Sequence, residues 1–254
     1  MRRLLRYAMT FHVFQEPHPG SVTHTTASAA LTNKSMNDWA ASVCNDVWPA
    51  AQRTVDALQK WPASQDPSHT GFCLATNSTE PMYKQLSSSP EKAQRFAGMM
   101  DAYTAAHPHE TAHLLAGFEW GGVRSVVDIG GSHGHISFLL ARSFPSLKLI
   151  IQDLPSVIAQ VNVPDELKDR VSVKGADFFE DQDTSSDVYY LRWVLHNWGD
   201  KDAVRILRAL IPALEKGFPH APAKVVIHDD VMPELGGGKE VAVWRERALR
   251  YVWR

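Results

Sequence analysis

The segment VVDIGGSHGH, from Val126 to His135, sets the expected fold of this sequence. A short apolar run ends around Asp128, two adjacent glycines follow, and a third glycine, Gly134, precedes the apolar positions of a helix. Glycines in such a turn let the chain bend tightly and let a ligand approach the backbone without meeting a Cβ atom. The helix that follows would offer free N–H groups at its first turn. The segment therefore predicts a strand, a ligand-binding loop and a helix.

Strand-like and helix-like stretches alternate from this segment to residue 231. The predicted strands are 125–129, 147–151, 170–173, 187–194 and 224–231, and the predicted helices are 136–142, 155–161 and 200–214. Such alternation is typical of an α/β domain with a Rossmann-like, doubly wound, mainly parallel sheet. Ligands of these sheets bind at the carboxyl ends of the strands.

The first 120 residues have a different texture. Apolar residues recur at helical spacing over 36–60, a helix start is signalled at 87–91, and another helix is predicted over 111–118. We expect three parts: a first region over 1–80, linking helices over 81–120, and an α/β domain over 121–254.

Composition narrows the functional classes. The 26 basic and 28 acidic residues give a net charge of -2, which argues against nucleic acid as a partner. Cys44 and Cys73 are far apart, so neither a disulfide framework nor a zinc site is expected, and no metal is predicted. No apolar run approaches the ~20 residues of a membrane span. We expect a cytoplasmic protein without a membrane partner.

The second predicted strand ends in Gln152 and Asp153, and an acid at that place can accept hydrogen bonds from ribose hydroxyls. The loop differs from the dinucleotide pattern because Gly130 and Gly131 are adjacent. A sulfonium ligand without a pyrophosphate fits that difference better. The alternative is that the glycines end the strand for structural reasons alone.

Several segments, in order, resemble the plant and fungal class I O-methyltransferases of the caffeate and flavonoid type. They are 126–155, 175–179, 191–200 and 206–214, with 14–17, 61–62 and 71–72 resembling the winged-helix part of fungal members. The resemblance implies a methyltransferase domain preceded by a small winged-helix-like α+β region. It also implies S-adenosyl-L-methionine as cofactor, a small hydroxylated acceptor of secondary metabolism, and a homodimeric family.

The resemblance assigns six residues to the cofactor: Gly130, Gly131, Asp153, Asp177, Phe178 and Arg192. The two glycines would lie beside its methionine part and Asp153 at its ribose. Asp177 and Phe178 would hold the adenine, and Arg192 would make a further contact. The alternatives are a turn acid for Asp177, a core residue for Phe178 and a strand-end charge for Arg192.

His196 is the predicted general base. O-methylation requires removal of a hydroxyl proton, and histidine suits that task near neutral pH. The family supports its histidine with two acids, and the first matches Asp229, where many members have Glu. Since the chain has twelve histidines, the alternative is a structural role.

The sequence also departs from the family. His133 occupies a loop position that is usually small or Thr, where it would crowd the cofactor or face solvent. Members are longer at both ends, so we expect a dimer-exchange portion, the last two strands and the second acid to be missing. Residues 224–231 would then form an edge strand with unpaired backbone groups.

Three hypotheses follow. The first is an O-methyltransferase. Its acceptor pocket would be lined by Trp193, Trp198 and three residues of the linking helices, Phe96, Met99 and Met100. The alternative, that these residues form a plain core, fits equally well. The second is a catalytically impaired or pericyclase-like protein with the same fold. The third is a winged-helix nucleic-acid binder, which the net charge disfavours.

Overall fold

A computed structural model of the chain describes residues 1–106, 108–216, 222–229 and 251–253. The chain divides into two compact units. Residues 1–62 and 70–106 form the first unit, and residues 63–69 together with the chain from 107 onward form the second.

The first unit is mainly helical. Its elements are α1 (Arg2–Thr10), β1 (Phe14–His18), β2 (Ser21–His24), α2 (Thr26–Ala30), α3 (Lys34–Ser42), α4 (Trp48–Gln52), α5 (Thr54–Lys60), α6 (Gly71–Thr76), α7 (Met82–Ser87) and α8 (Pro90–Ala106). Strands β1 and β2 pair as an antiparallel hairpin. Thr25 and Ser28 begin α2 with a capping box, each side chain accepting from the other's backbone N–H.

The helical spacing over 36–60 corresponds to two helical runs, one over 34–52 and the other α5, with a break at Arg53. A π-helical turn, Val43–Val47, follows α3, and Pro49 lies in the first turn of α4. Val43, Val47 and Trp48 have αR backbone angles, so α3, the π-helical turn and α4 form one continuous helical run. The helix start signalled at 87–91 is confirmed, since α8 begins at Pro90.

The second unit is the α/β domain. Its elements are α9 (Pro108–Gly117), β3 (Ser125–Ile129), α10 (His135–Ser143), β4 (Lys148–Asp153), α11 (Pro155–Ile158), β5 (Val171–Gly175), β6 (Val188–Arg192), α12 (Asp200–Ala209), α13 (Ile211–Lys216), β7 (Lys224–His228) and β8 (Tyr251–Trp253). The sheet order is β5-β4-β3-β6-β7-β8, and the first five strands are parallel. The predicted Rossmann-like fold class is therefore confirmed.

The sheet is buried on both faces, as parallel sheets are. Because side chains alternate along a strand, Val126 and Tyr190 enter one apolar cluster while Val127 and Tyr189 enter the other. These four side chains are fully buried. The two central strands, β3 and β6, thus hold the loops at their carboxyl ends on a rigid base.

The prediction of an unpaired edge along 224–231 is wrong for residues 225–227. Strand β8 pairs with them in antiparallel register, Val225 opposite Trp253 and Ile227 opposite Tyr251. Aromatic and β-branched residues such as Tyr-Val-Trp favour the extended backbone that this pairing needs. Residues 230 and 231 lie outside the described residues.

Among the residues that the structure describes, none of the helices is long and apolar enough to cross a membrane.

Candidate active site

The glycine loop follows β3 and is shaped by its backbone. Gly130 and Gly134 have φ angles of +70° and +78°, which favour glycine. The N–H groups of Gly130 and Gly131 both donate to the carbonyl oxygen of Gln152, at 2.8 and 3.0 Å. A Cβ on Gly134 would lie 2.4 Å from Cδ1 of Ile151. Both the backbone angle and the packing therefore favour glycine at position 134.

Asp153, at the end of β4, is tied to this loop. Its carboxylate accepts from the N–H of Ser132 at 2.9 Å and from the N–H of Leu154 at 2.8 Å. Burial raises the pKa of Asp153, while these two hydrogen bonds and the nearby His133 oppose that rise. Each carboxylate oxygen has a second lone pair, so the side chain can still accept from a ligand hydroxyl.

His133 is half-buried and lies close enough to Asp153 to favour its charged form. The unusual loop residue therefore acts electrostatically on the acid predicted to meet the ribose. Whether it crowds a bound cofactor stays a prediction.

Asp128, which is not among the residues predicted for the site, is a buried acid next to the glycine loop. It is only 3% exposed, its carboxylate accepts from the hydroxyl of Ser137 at 2.7 Å, and burial raises its pKa to about 6. A Cβ on Gly131 would lie 2.8 Å from this carboxyl group. The acid thus packs directly against the glycine loop. Its place at the end of an apolar strand, just before the glycines, was the available sequence signal.

Asp177 and Phe178 lie beyond β5 and differ in their surroundings. Asp177 is exposed, and its Oδ1 accepts from the N–H of Phe179 at 2.9 Å, which is the geometry of a turn acid. Phe178 is half-buried, and its ring edge is 4.0 Å from where a Cβ of Gly130 would lie. Phe178 therefore borders the glycine loop, whereas the adenine contact of Asp177 stays a prediction.

Arg192 ends β6 and stacks on the next residue. Its guanidinium carbon lies 3.4 Å from the ring centroid of Trp193, within the range of a cation–π contact. Its positive charge also lowers the pKa values of Asp128 and His228. The charge of Arg192 thus acts on two buried titratable groups, Asp128 and His228. Its contact with the cofactor stays a prediction.

His196 and Asp229 are brought together from two neighbouring strands. His196 lies in a short 3-10 turn, Leu195–Asn197, after β6, and Asp229 follows β7 directly. The ring Nδ1 is 2.5 Å from Oδ1 of Asp229, and the backbone N–H of His196 donates to Oδ2 at 3.2 Å. One carboxylate thus holds both the ring and the backbone of the histidine.

This arrangement is suited to proton transfer. The His196 side chain is 41% exposed and that of Asp229 is 15% exposed, so the ring is accessible while the acid is sheltered. With the Nδ1 proton held by the carboxylate, the lone pair of a neutral ring lies on Nε2. The pair can therefore accept a proton from a bound hydroxyl and stabilise the imidazolium that results.

The profile of the O-methyltransferase domain family matches residues 72–241 of the chain. The chain belongs to this family. It is similar to the grayanic acid biosynthesis cluster O-methyltransferase of Cladonia grayi, with 40% identity over 99% of the chain and 53% of that protein. It is also similar to O-methyltransferase VdtC of Byssochlamys spectabilis, with 37% identity over 98% of the chain and 58% of that protein. The chain thus spans a little over half the length of these curated relatives.

Solved structures share the fold. The structure of LaPhzM superposes with a TM-score of 0.77 at 25% identity, covering 98% of this chain and 72% of that one. The structure of LepI in complex with SAM superposes with a TM-score of 0.70 at 22% identity, covering 97% of this chain and 65% of that one. A structure described as a pericyclic reaction enzyme also has a TM-score of 0.70, at 22% identity and with the same coverage of both chains.

Proposed function

We propose that the chain is part of an O-methyltransferase that binds S-adenosyl-L-methionine and methylates a hydroxyl group of a small molecule. The observation that carries this proposal is the pairing of His196 with Asp229 at the carboxyl edge of the sheet, the same edge at which the glycine loop lies. Membership of the O-methyltransferase domain family supports the same reaction.

Some residues around the glycine loop have groups that suit this cofactor. Asp153 at the edge of the loop retains lone pairs for hydroxyl groups. Phe178 offers an apolar ring beside the loop for a base, and Arg192 offers positive charge that suits a carboxylate. Asp177 would accept from the amino group of the base through the oxygen that its turn leaves open.

S-adenosyl-L-methionine, when bound, supplies an electrophilic methyl group on a positively charged sulfur. The chain's own part is to prepare the nucleophile. His196 accepts the acceptor's hydroxyl proton at Nε2, which leaves the oxygen ready to attack. Asp229 keeps the ring oriented through Nδ1 and stabilises its positive charge after the transfer. Water can then take the proton, since the His196 side chain is partly exposed.

The acceptor is proposed to be a hydroxylated secondary metabolite of aromatic or polyketide type. The names of the curated relatives place one of them in a biosynthetic gene cluster for grayanic acid. Phenols also suit a histidine base, because a phenolic proton is removed far more readily than that of an alkyl alcohol.

Methyl transfer from labelled S-adenosyl-L-methionine to a panel of phenols tests the proposal. We expect transfer by the wild-type chain, and a loss of about 10²-fold or more in His196→Ala. His18→Ala is a matched control, because His18 is exposed on β1 of the other unit, and it should keep the wild-type rate. Equal rates for wild type and His196→Ala would remove the general-base assignment.

Calorimetric titration of the same chain with S-adenosyl-L-methionine tests the two other hypotheses. A pericyclase-like protein would bind the cofactor in a calorimetric titration yet transfer no methyl group to any phenol. A nucleic-acid binder would show no heat with S-adenosyl-L-methionine. The His196–Asp229 pair favours methyl transfer over both, since neither alternative requires a proton acceptor held by a carboxylate.

A further inference from the structure

A second histidine directly precedes the acid that holds the proposed general base. His228 is the last residue of β7, immediately before Asp229, and is only 1% exposed. Its Nδ1 is 2.7 Å from the hydroxyl oxygen of Tyr190, which is fully buried on β6. Neither residue belongs to the predicted site, because a histidine and a tyrosine inside apolar strands suggest only core packing.

The two side chains are placed together by strand register. Arg192 pairs with His228 and Tyr190 with Val226, so Tyr190 and His228 are diagonal neighbours on one face of the sheet. The Tyr190 ring packs edge-to-face with Trp120 at 6.1 Å, inside the core. The hydrogen bond therefore anchors the end of β7 to a rigid part of the domain.

The backbone of His228 makes a second link to the site. Its carbonyl oxygen accepts from the N–H of Trp193 at 3.0 Å. Trp193 has a φ of +54°, a strained value for a bulky residue, and its own carbonyl accepts from Nδ2 of Asn197 at 2.9 Å. Trp193 lies two residues before the turn Leu195–Asn197 that carries His196. His228 thus links the segment that leads to His196 with the strand end that Asp229 directly follows.

Charge also favours a supporting role for His228. Burial and the positive charge of Arg192 lower its pKa to about 4, with Asp229 opposing and His113 adding a smaller decrease. Its ring is therefore neutral near pH 7. A neutral ring beside Asp229 leaves the negative charge of that carboxylate available to His196.

We propose that the Tyr190–His228 hydrogen bond holds Asp229 in place against His196, and that Tyr190 and His228 are positioning residues for the general base. Their effect is to keep the His196 proton on Nδ1 and the lone pair on Nε2. Neutral imidazole in water prefers the opposite tautomer, so the active form depends on an acceptor held at the right place. This inference deepens the proposed function and rests on His196 being its base.

The test is the tautomer of His196, read from its ring ¹⁵N shifts in the histidine-labelled chain at a pH where the ring is neutral. Asp229→Asn assigns the signal of a ring that has lost its carboxylate. Tyr190→Phe and His228→Leu remove the proposed hydrogen bond, whereas His228→Asn retains a polar group able to bond Tyr190. Tyr189→Phe is the matched control: Tyr189 is equally buried, but its hydroxyl donates to the carbonyl of Thr184 at 2.9 Å.

We expect wild type, His228→Asn and Tyr189→Phe to show a protonated Nδ1, and Tyr190→Phe and His228→Leu to shift toward the Nε2–H form. A wild-type tautomer in folded Tyr190→Phe would overturn the proposal, as would an equal shift in Tyr189→Phe. If His228→Leu does not fold, Tyr190→Phe decides. The readout needs no turnover, so it stands apart from the methyl-transfer assay, in which Tyr190→Phe should lower kcat and leave the cofactor KM unchanged.

Discussion

At the scale of single residues, two carboxylates have different predicted effects: Asp229 on turnover and Asp128 on stability. Asp229 is the partner of His196 and should matter for turnover rather than for cofactor binding. Its replacement in Asp229→Asn keeps the size of the side chain and removes the charge that stabilises the imidazolium. We expect kcat to fall by about 10²-fold or more at an unchanged cofactor KM.

Steady-state methyl transfer measures this effect. Asp165→Asn is the control, because Asp165 is 93% exposed and precedes β5, at the opposite end of that strand from the site, and it should behave as wild type. A cofactor KM that rises as much as kcat falls would instead place Asp229 in cofactor binding.

Asp128 should make stability depend on pH. Burial raises its pKa from 3.8 to about 6, so the folded protein holds this proton more tightly than the unfolded chain does. Its contribution to stability is therefore complete below about pH 4 and is lost as the pH rises through about 6. The loss amounts to about 3 kcal/mol by about pH 7.

Asp128→Asn removes this titration and keeps an acceptor for Ser137. Denaturant unfolding of both proteins between about pH 4 and about pH 7 should show the variant gaining stability relative to wild type as the pH rises. A stability difference that does not vary with pH would contradict the prediction.

At the scale of elements, the glycine loop has the strictest requirements. Gly134→Ala would place a Cβ 2.4 Å from Ile151 on a backbone with a φ of +78°. Strain and overpacking together should lower the free energy of unfolding by about 2–4 kcal/mol. Gly121→Ala is the matched control, since nothing lies within 4 Å of its Cβ position, and it should change stability by less than about 0.5 kcal/mol.

Chemical denaturation compares the two alanine variants directly. Similar stabilities for both variants would show that the loop relaxes around an added methyl group, and would contradict the prediction that Gly134 is tightly packed.

The elements also show how far sequence patterns extend. Strand β3 has the predicted bounds because its apolar run is flanked by clear signals. The predicted helix over 200–214 is divided after Ala209, where Pro212 in the next turn lacks an N–H for a continuous helix. The role proposed for His228 could not be predicted from the sequence. It depends on which residues of β6 and β7 lie opposite each other, and the sequence does not give the register of two strands that are far apart in the chain.

At the scale of the whole molecule, the fold class and family follow from motif order, and the site follows from topology. The parallel strands bring Gly130, Asp153, His196 and Asp229 to the same edge of the sheet although more than 90 residues separate the first from the last. The acceptor is less accessible to sequence reasoning, since its pocket depends on side chains whose apolar character fits a plain core equally well.

Chemical rescue tests the central claim, that His196 is the general base of methyl transfer, most directly. The site of His196 is open to solution, so free imidazole can reach the space left in His196→Ala. Single-turnover methyl transfer by this variant should be slow without imidazole and should rise with imidazole concentration, while wild type should not respond. Wild-type rates in the variant without imidazole, or a slow rate that imidazole leaves unchanged, would contradict the general-base role.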